Sequence, residues 1–119
     1  MKTFDEVFEN VDSAIADTAR RLRKVVLEEV PDVKETVIGG AKVQNVLYYS
    51  GDSTSIVCGI QPSGERCLFY LHRLTPEDVP EYYLSGKGKH SNHIAFGGPD
   101  EVKNAVIKRV IGLSVKRLP

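Results

Sequence analysis

A segment rich in glycine and lysine carries the residues best suited to chemistry in this sequence. Gly86, Lys87, Gly88, Lys89 and His90 follow one another directly. Alternating glycines allow backbone N–H groups to point to one side, and the ammonium groups add charge, so the segment has the components of an anion-binding nest. It is not a Walker phosphate loop, which has four residues between its glycines and a Ser or Thr after its lysine. The alternative interpretation is a turn that ends a helix at Gly86 and keeps its lysines in water.

Carboxylates near the amino terminus form a second candidate site. Asp5, Glu9 and Asp12 recur at positions i, i+4 and i+7, which is the spacing of one face of a helix. Hard cations such as iron take carboxylate oxygens, so the row is a candidate site for a labile metal. We favour the simpler explanation, in which acidic side chains stabilise the start of a helix through its dipole.

The remaining ligand and nucleophile types do not form a catalytic arrangement. His90 and His93 are three residues apart outside any predicted helix, and no second pair of ligands accompanies them as structural zinc requires. Cys58 and Cys67 alternate into an apolar strand face, where a thiol stays protonated. No Gly-x-Ser-x-Gly nucleophile turn is present. We therefore predict a non-enzymatic protein without a cofactor, and two free, buried thiols.

The first third of the chain has helical periodicity. Apolar side chains recur at steps of three and four over residues 4–26, and Pro31 stops the pattern. Thr3 and Glu6 predict a capping box at the start. Asp12 is a candidate cap for a second helix, so the pattern leaves open whether this region is one helix or two.

The middle of the chain predicts an antiparallel meander with strands over residues 42–50, 54–61 and 66–72. A two-residue loop at Ser63-Gly64 would pair Ile60 with Cys67 and Cys58 with Phe69. Alternation then places one apolar set toward the helices: Ile56, Cys58, Ile60, Cys67, Phe69 and Leu71. The opposite face carries Val57, Gly59, Gln61, Arg66, Leu68, Tyr70 and His72.

The last third predicts a helix, a strand and a helix. A short helix opens at Thr75 with Pro at its first position and ends at Gly86. A strand follows over residues 92–96, and the last helix starts at Pro99.

Tyrosines on the sheet face away from the helices suggest a third candidate surface. We expect Tyr48 and Tyr70 to share that face with Val46, Val57 and Leu68, as a dimer contact or a small-molecule groove. The alternative is that the helix predicted after Thr75 folds over it. The full candidate ligand-binding set is Gly86, Lys87, Gly88, Lys89, His90, His93 and Tyr70.

Composition bounds the class of protein. The 119 residues suit one domain over residues 1–119, and 16 basic side chains balance 16 acidic ones. Such a chain has no overall field for nucleic acid or an anionic membrane, so we expect neither as a partner. The start of the chain does not predict a signal peptide, and apolar runs are too short to span a bilayer. We expect a cytoplasmic location.

Three stretches carry a family resemblance. They are the helix end at Leu27-Glu28-Glu29-Val30-Pro31-Asp32 running into Glu35-Thr36, the Gly39-Gly40 pair, and Leu84-x-Gly86-x-Gly88-Lys89 followed by His93-Ile94. With these, the chain resembles the YdhG-like family, a domain family of unknown function whose architecture is similar to frataxin. The family often has an aromatic, Met or Pro residue where this chain has Ile38 and Ala41, and its last helix does not usually start as this one does at Pro99. The resemblance implies a frataxin-like iron chaperone as one possibility, but no particular ligands.

These observations predict an α+β fold, a two-layer α/β sandwich. Its antiparallel sheet has four to six strands, with the N- and C-terminal helices on one face. We expect a binding module for a small anion or a protein partner, as a monomer or homodimer. A frataxin-like iron chaperone using Asp5, Glu9 and Asp12 is the alternative, and an enzyme is the least favoured.

Overall fold

The computed structural model describes residues 2–40, 42–52, 54–86 and 92–119. Three helices, α1 to α3, are Phe4–Phe8, Ser13–Glu29 and Asn104–Lys116. Five strands, β1 to β5, are Val33–Gly39, Gln44–Ser50, Ile56–Ser63, Arg66–Leu71 and Asn92–Phe96. The strands lie in the order β1-β2-β3-β4-β5, and every neighbouring pair is antiparallel. The predicted α+β sandwich is confirmed.

The amino-terminal region is two helices. The capping box forms, because the Thr3 N–H donates to Glu6 Oε1 at 3.0 Å and the Glu6 N–H donates to Thr3 Oγ1 at 3.3 Å. α1 ends at Phe8, and the Asp12 carboxylate then accepts from the Ala14 N–H at 2.9 Å to start α2. Side-chain oxygens at both starts satisfy N–H groups that have no partner inside a helix.

The hydrophobic core lies between the helices and one face of the sheet. α2 contributes Leu22 and Val26, and α3 contributes Ile107, all fully buried. They join a single cluster with the inward side chains of the central strands, such as Ile60 and Phe69. Packing of these apolar surfaces is the main source of stability in a domain of this size.

β1 is the element that the sequence analysis did not predict. Residues 33–39 alternate only weakly between apolar and polar side chains, and all seven are half-buried or exposed. The strand is held on its inner side by the Glu35 carboxylate. This carboxylate accepts from Arg23 of α2 at 2.7 and 3.1 Å, and from the hydroxyl of the fully buried Tyr48 at 2.7 Å. The Arg23 guanidinium also lies 4.8 Å from the centre of the Phe4 ring, so one network joins α1, α2, β1 and β2.

The register of the β3–β4 hairpin differs from the prediction by two residues. Ser63 pairs with Arg66, so the loop is Gly64-Glu65, and Ile60 pairs with Phe69. Gly64 has a φ of +60°, which suits the first loop position of the tight turns that antiparallel hairpins favour. A shift of two residues leaves each side chain of the hairpin on its predicted face.

A bulge reverses two of the predicted faces. The pairing of β2 with β3 shifts between Tyr48 and Tyr49, so Tyr49 faces Ile56 while Tyr48 faces Cys58. Ile56 therefore lies on the face away from the helices, and Val57 joins the core. The expected outward positions of Tyr48 and Val46 are also wrong, because both are fully buried in the core.

The predicted thiols are confirmed as free and buried. Cys58 pairs with Leu71 across the hairpin, and Cys67 pairs with Pro62, so the two cysteines are not cross-strand partners. Burial raises the pKa of the Cys67 thiol to about 12 and raises that of Cys58 as well. Both stay protonated at neutral pH, and a protonated thiol is a poor nucleophile.

The helix predicted from Thr75 to Gly86 is wrong. Only a single 3₁₀ turn, Pro76–Asp78, forms, and the rest of the segment is irregular. Leu74, Val79 and Leu84 anchor the segment in the core, so it packs on the helix side of the sheet rather than over the opposite face.

The last helix starts later than predicted. A 3₁₀ turn, Pro99–Glu101, precedes α3, which begins at Asn104. Proline suits the first position of such a turn because it needs no N–H donor there.

A polar cluster connects the end of α3 to the segment after β4. Arg117 donates to both Asp78 oxygens at 2.7 and 3.0 Å, and Asp78 also accepts from the Thr75 N–H at 2.8 Å. Hydrogen bonds from Arg117 and then Thr75 lower the pKa of Asp78. The ionised carboxylate is therefore the form that the folded protein favours.

We expect Asp78→Asn to lower the melting temperature at neutral pH and to have less effect in acid. The folded-state pKa lies below the unfolded value of about 3.9, so the carboxylate stabilises the fold above that pH and stops doing so as the pH falls through the folded pKa. Melting curves of both proteins from pH 7 downward, in steps of about one unit, measure the difference. A difference that stays constant below pH 4 would contradict the prediction.

We expect the Glu35 network to stabilise the fold through its buried hydroxyl. Glu35→Ala should cost about 2–3 kcal/mol, because it leaves the Tyr48 hydroxyl buried without an acceptor. Tyr48→Phe should cost about 1 kcal/mol. The double variant should lose less stability than the sum of the two single losses, because both substitutions remove the same interaction. Asp17→Ala is the matched control, since Asp17 pairs with Arg20 at 3.1 Å on the exposed face of α2; it should cost under about 1 kcal/mol. Urea unfolding measures all four, and full additivity would show that the residues act separately.

Candidate functional site

The candidate site lies on the side of the sheet opposite the helices, which we call the outer face. Strand registers place these residues on it: Lys34, Thr36, Ile38, Asn45, Leu47, Tyr49, Ile56, Gly59, Gln61, Arg66, Leu68, Tyr70, His93 and Ala95. None of its apolar members belongs to the core cluster. Within the described part of the chain, the outer face is therefore a surface that no helix covers.

The strands supply cations and no carboxylates to the outer face. Glu35 is the one acidic residue in the five strands, and its side chain lies on the helix side, bound to Arg23 and Tyr48. The outer face carries Lys34 and Arg66 as well as a histidine. The strands thus contribute only cations to this surface, while Asp52 interacts with Lys34 and Glu101 lies near Arg66 from outside the strands. Around Tyr70 and His93, no carboxylate of the strands opposes the approach of an anion.

Four side-chain positions line up across the middle of the outer face. Leu47 pairs with Gly59, Gly59 with Tyr70, and Tyr70 with His93. The Tyr70 and His93 rings are 5.0 Å apart at 48°. This row ends in a pair of polar rings beside the segment that leaves the sheet at Gly86.

Gly59 allows its neighbours to lie across the strand. A Cβ atom there would come within 2.9 Å of Leu47 Cδ2 and 3.0 Å of Asn45 Oδ1. Leu47 is consequently only 9% exposed although no helix covers it. No side chain therefore projects from the middle of the outer face at Gly59. A flat surface of this kind suits a ligand that lies against the sheet rather than one that enters a pocket.

Two polar atoms of the outer face are buried without a hydrogen-bond partner among the described residues. They are His93 Nδ1 and Asn45 Oδ1. An unpaired buried polar atom typically costs about 1–3 kcal/mol, and native proteins retain few of them. Pairing of these atoms with a bound group would recover that cost.

The candidate residues that are described lie together. The Ser85 N–H donates to the His93 carbonyl and the His93 N–H donates to the Ser85 carbonyl, both at 2.8 Å. This pairing places Gly86, with a φ of +122°, beside the His93 end of the row. Tyr70 and His93 are in ring contact.

The rest of the predicted anion site lies outside the described residues. This applies to Lys87, Gly88, Lys89 and His90, so the predicted nest remains a prediction.

The acidic row is divided between two helices. Asp5 is in α1, Glu9 caps the end of α1, and the Asp12 carboxylate is bound to the start of α2. Among the described residues, no three His, Cys, Asp or Glu side chains group closely enough to hold a metal ion. Iron binding at this row stays an untested prediction.

Two grooves of the described surface lie in the helix layer. One groove of about 260 Å³ between α2 and α3 is lined partly by Arg21, Lys24 and Lys108. Arg21 donates to Asn104 Oδ1 and to the Pro99 carbonyl, and Lys108 lies 3.5 Å from Glu29. Most of its cations are thus engaged in holding the two helices together.

Sequence reasoning missed Leu47, Asn45 and Tyr49 as members of the candidate surface. Their place depends on the pairing of β2 with β3 and on the bulge, neither of which strand alternation predicts. Gly59 in the middle of a β-rich run was the available signal, because glycine inside a strand marks a close approach by neighbouring groups.

Comparisons of the chain with protein-family models, with curated proteins and with solved structures find no match. The resemblance to the YdhG-like family therefore stays a prediction from the sequence. No helix of the described chain is long and apolar enough to cross a bilayer.

Proposed function

We propose that this chain is a non-enzymatic binding module that holds an anionic ligand on the outer face, beside Tyr70 and His93. The observation that carries the proposal is the His93 ring. It contacts Tyr70 on a face whose strands supply no carboxylate, and its buried Nδ1 has no partner among the described residues. A ligand oxygen that accepts from Nδ1–H would satisfy this atom.

The sequence supplies further positive charge between the two residues of the Ser85–His93 pairing. Lys87 and Lys89 follow Gly86 in the sequence, and both stand between Ser85 and His93, whose backbones pair through two hydrogen bonds.

The proposed contact uses rotation of the His93 ring. Nδ1 has no solvent-accessible surface in this structure, so the imidazole must turn about its Cβ–Cγ bond to present Nδ1 to the ligand. A hydrogen bond to a charged oxygen is about twice as strong as one between neutral groups. The nearby Tyr70 ring offers an apolar surface for the uncharged part of the ligand.

The non-enzymatic part of the proposal is supported by the state of the nucleophiles. Both thiols are buried in the core, and their raised pKa values keep them protonated at neutral pH. The proposed contacts of Tyr70, His93 and the lysines suffice to bind an anion without any bond being made or broken.

A thermal-shift titration with inorganic phosphate and a nucleoside monophosphate tests the proposal, with chloride keeping the ionic strength low and constant. The wild-type protein should show a saturable rise in melting temperature, since a ligand at a hundred times its Kd adds about 2.7 kcal/mol. Lys89→Ala should leave the melting temperature without anion nearly unchanged and should remove most of the rise.

His93→Phe provides the sharper comparison. Phenylalanine keeps a ring beside Tyr70 and removes the unpaired nitrogen, so the variant should be at least as stable as wild type without anion. It should nevertheless lose the anion-dependent rise. Lys24→Ala, on the helix layer, is the control and should keep it. A wild-type protein that responds to neither anion, or a His93→Phe variant that responds fully, would refute the site.

A further inference from the structure

The two edges of the sheet differ in whether another segment pairs with them. β5 forms one edge, and Ser85 pairs with His93 along it through two 2.8 Å hydrogen bonds. β1 forms the other edge, and no described residue pairs with its free side. An unpaired edge presents a row of backbone N–H and C=O groups that another strand can join.

The hydrogen bonds between β1 and β2 show which residues present those groups. The Gly51 N–H donates to the Asp32 carbonyl at 3.0 Å, which marks the pair Asp32 and Gly51 as hydrogen-bonded. Bonded and non-bonded pairs alternate in an antiparallel ladder, and the register from Val33 to Gly39 has no irregularity. Even-numbered residues of β1 therefore bond to β2. The odd-numbered residues direct their N–H and C=O groups to the free edge: Val33, Glu35, Val37 and Gly39.

The usual features that protect an edge strand are weak here. β1 has seven residues without proline, and its pairing with β2 has no bulge. Lys34 is its single cation, and the Glu35 carboxylate is bound to Arg23 and Tyr48. Ile38 is 45% exposed at the end of the strand. The edge is thus long, regular and nearly free of unpaired charge.

We propose that the free edge of β1 pairs antiparallel with β1 of a second copy of this chain, about a two-fold axis at Thr36. This register pairs all seven residues and satisfies all four outward-facing residues of each copy. It places Thr36 opposite Thr36 of the second copy, a favourable cross-strand pair, and lays the Lys34 stem beside Ile38. Centring on Glu35 would set two carboxylates opposite each other, and centring on Val37 would pair fewer residues.

Pairing of two copies through the β1 edge is more favourable than contact between their outer faces. Two outer faces in contact would bring the strand cations Lys34 and Arg66 of both copies together, whereas edge pairing keeps the outer faces beside one another. A two-fold axis perpendicular to the sheet leaves both outer faces on the same side. The result is one continuous sheet of ten strands, twice the five of one copy, with a His93 at each far end.

Light scattering over a wide concentration range measures the mass of this chain in solution and tests the pairing. The substitutions exchange charges at Thr36. The wild type should be a dimer at high concentration. Thr36→Lys and Thr36→Glu should each be monomeric, because like charges would meet on the axis. An equimolar mixture of the two should restore the dimer. Ala95→Lys and Ala95→Glu carry the same charges on the β5 side of the outer face and should remain dimeric.

A second variant covers the case in which a Thr36 substitution unfolds the protein. Val37→Pro removes an outward N–H without removing a bond to β2, so circular dichroism should show a folded sheet while the mass is that of a monomer. A wild type that is monomeric at every concentration overturns the inference. A dimer that resists these variants, or Thr36 variants that fail to combine when mixed, overturns it equally.

Discussion

The carboxylate of Glu35 joins β1 to α2 and β2. It accepts two hydrogen bonds from Arg23 and one from the buried Tyr48 hydroxyl, and so holds an otherwise weakly apolar strand against the helix layer. Removing one member of such a network leaves the others desolvated without a partner, which costs more than a surface ion pair contributes. β1 is a regular strand at the edge of the sheet because this contact fixes its inner side.

The same contact determines the character of the outer face. Glu35 is the one acid in the strands, and its engagement on the inner side leaves the strand positions of the opposite surface with Lys34 and Arg66 and without carboxylates. Gly59 lets Leu47 and Asn45 lie across the centre of that surface, and the Tyr70–His93 pair ends its middle row. A flat surface that lacks strand carboxylates and has an unpaired histidine nitrogen is the basis for proposing an anion-binding module.

The helices and four of the five strands could be predicted because their hydrophobic periods are strong and local. β1 could not, because its main anchor is Arg23, twelve residues before Glu35 and on another element. The hairpin register was displaced by two residues because Gly64 takes the first loop position rather than the second. Ile56 was assigned to the wrong face because a bulge is not visible in strand alternation.

The candidate site was predictable only in part. Alternation along β4 predicts Tyr70 on the outer face, and the candidate site at the glycine-lysine segment includes His93. The neighbours that complete the surface, Leu47 and Asn45, depend on pairing between strands that are distant in sequence. Periodicity within one strand contains no information about such pairing.

Backbone amide NMR during a titration with inorganic phosphate at low ionic strength locates the bound anion residue by residue. We expect saturable chemical-shift changes that are largest at Gly59, Tyr70 and His93, in the middle row of the outer face. Shifts confined to the groove between α2 and α3 around Lys24, or a small uniform drift across the whole chain, would contradict the proposed site.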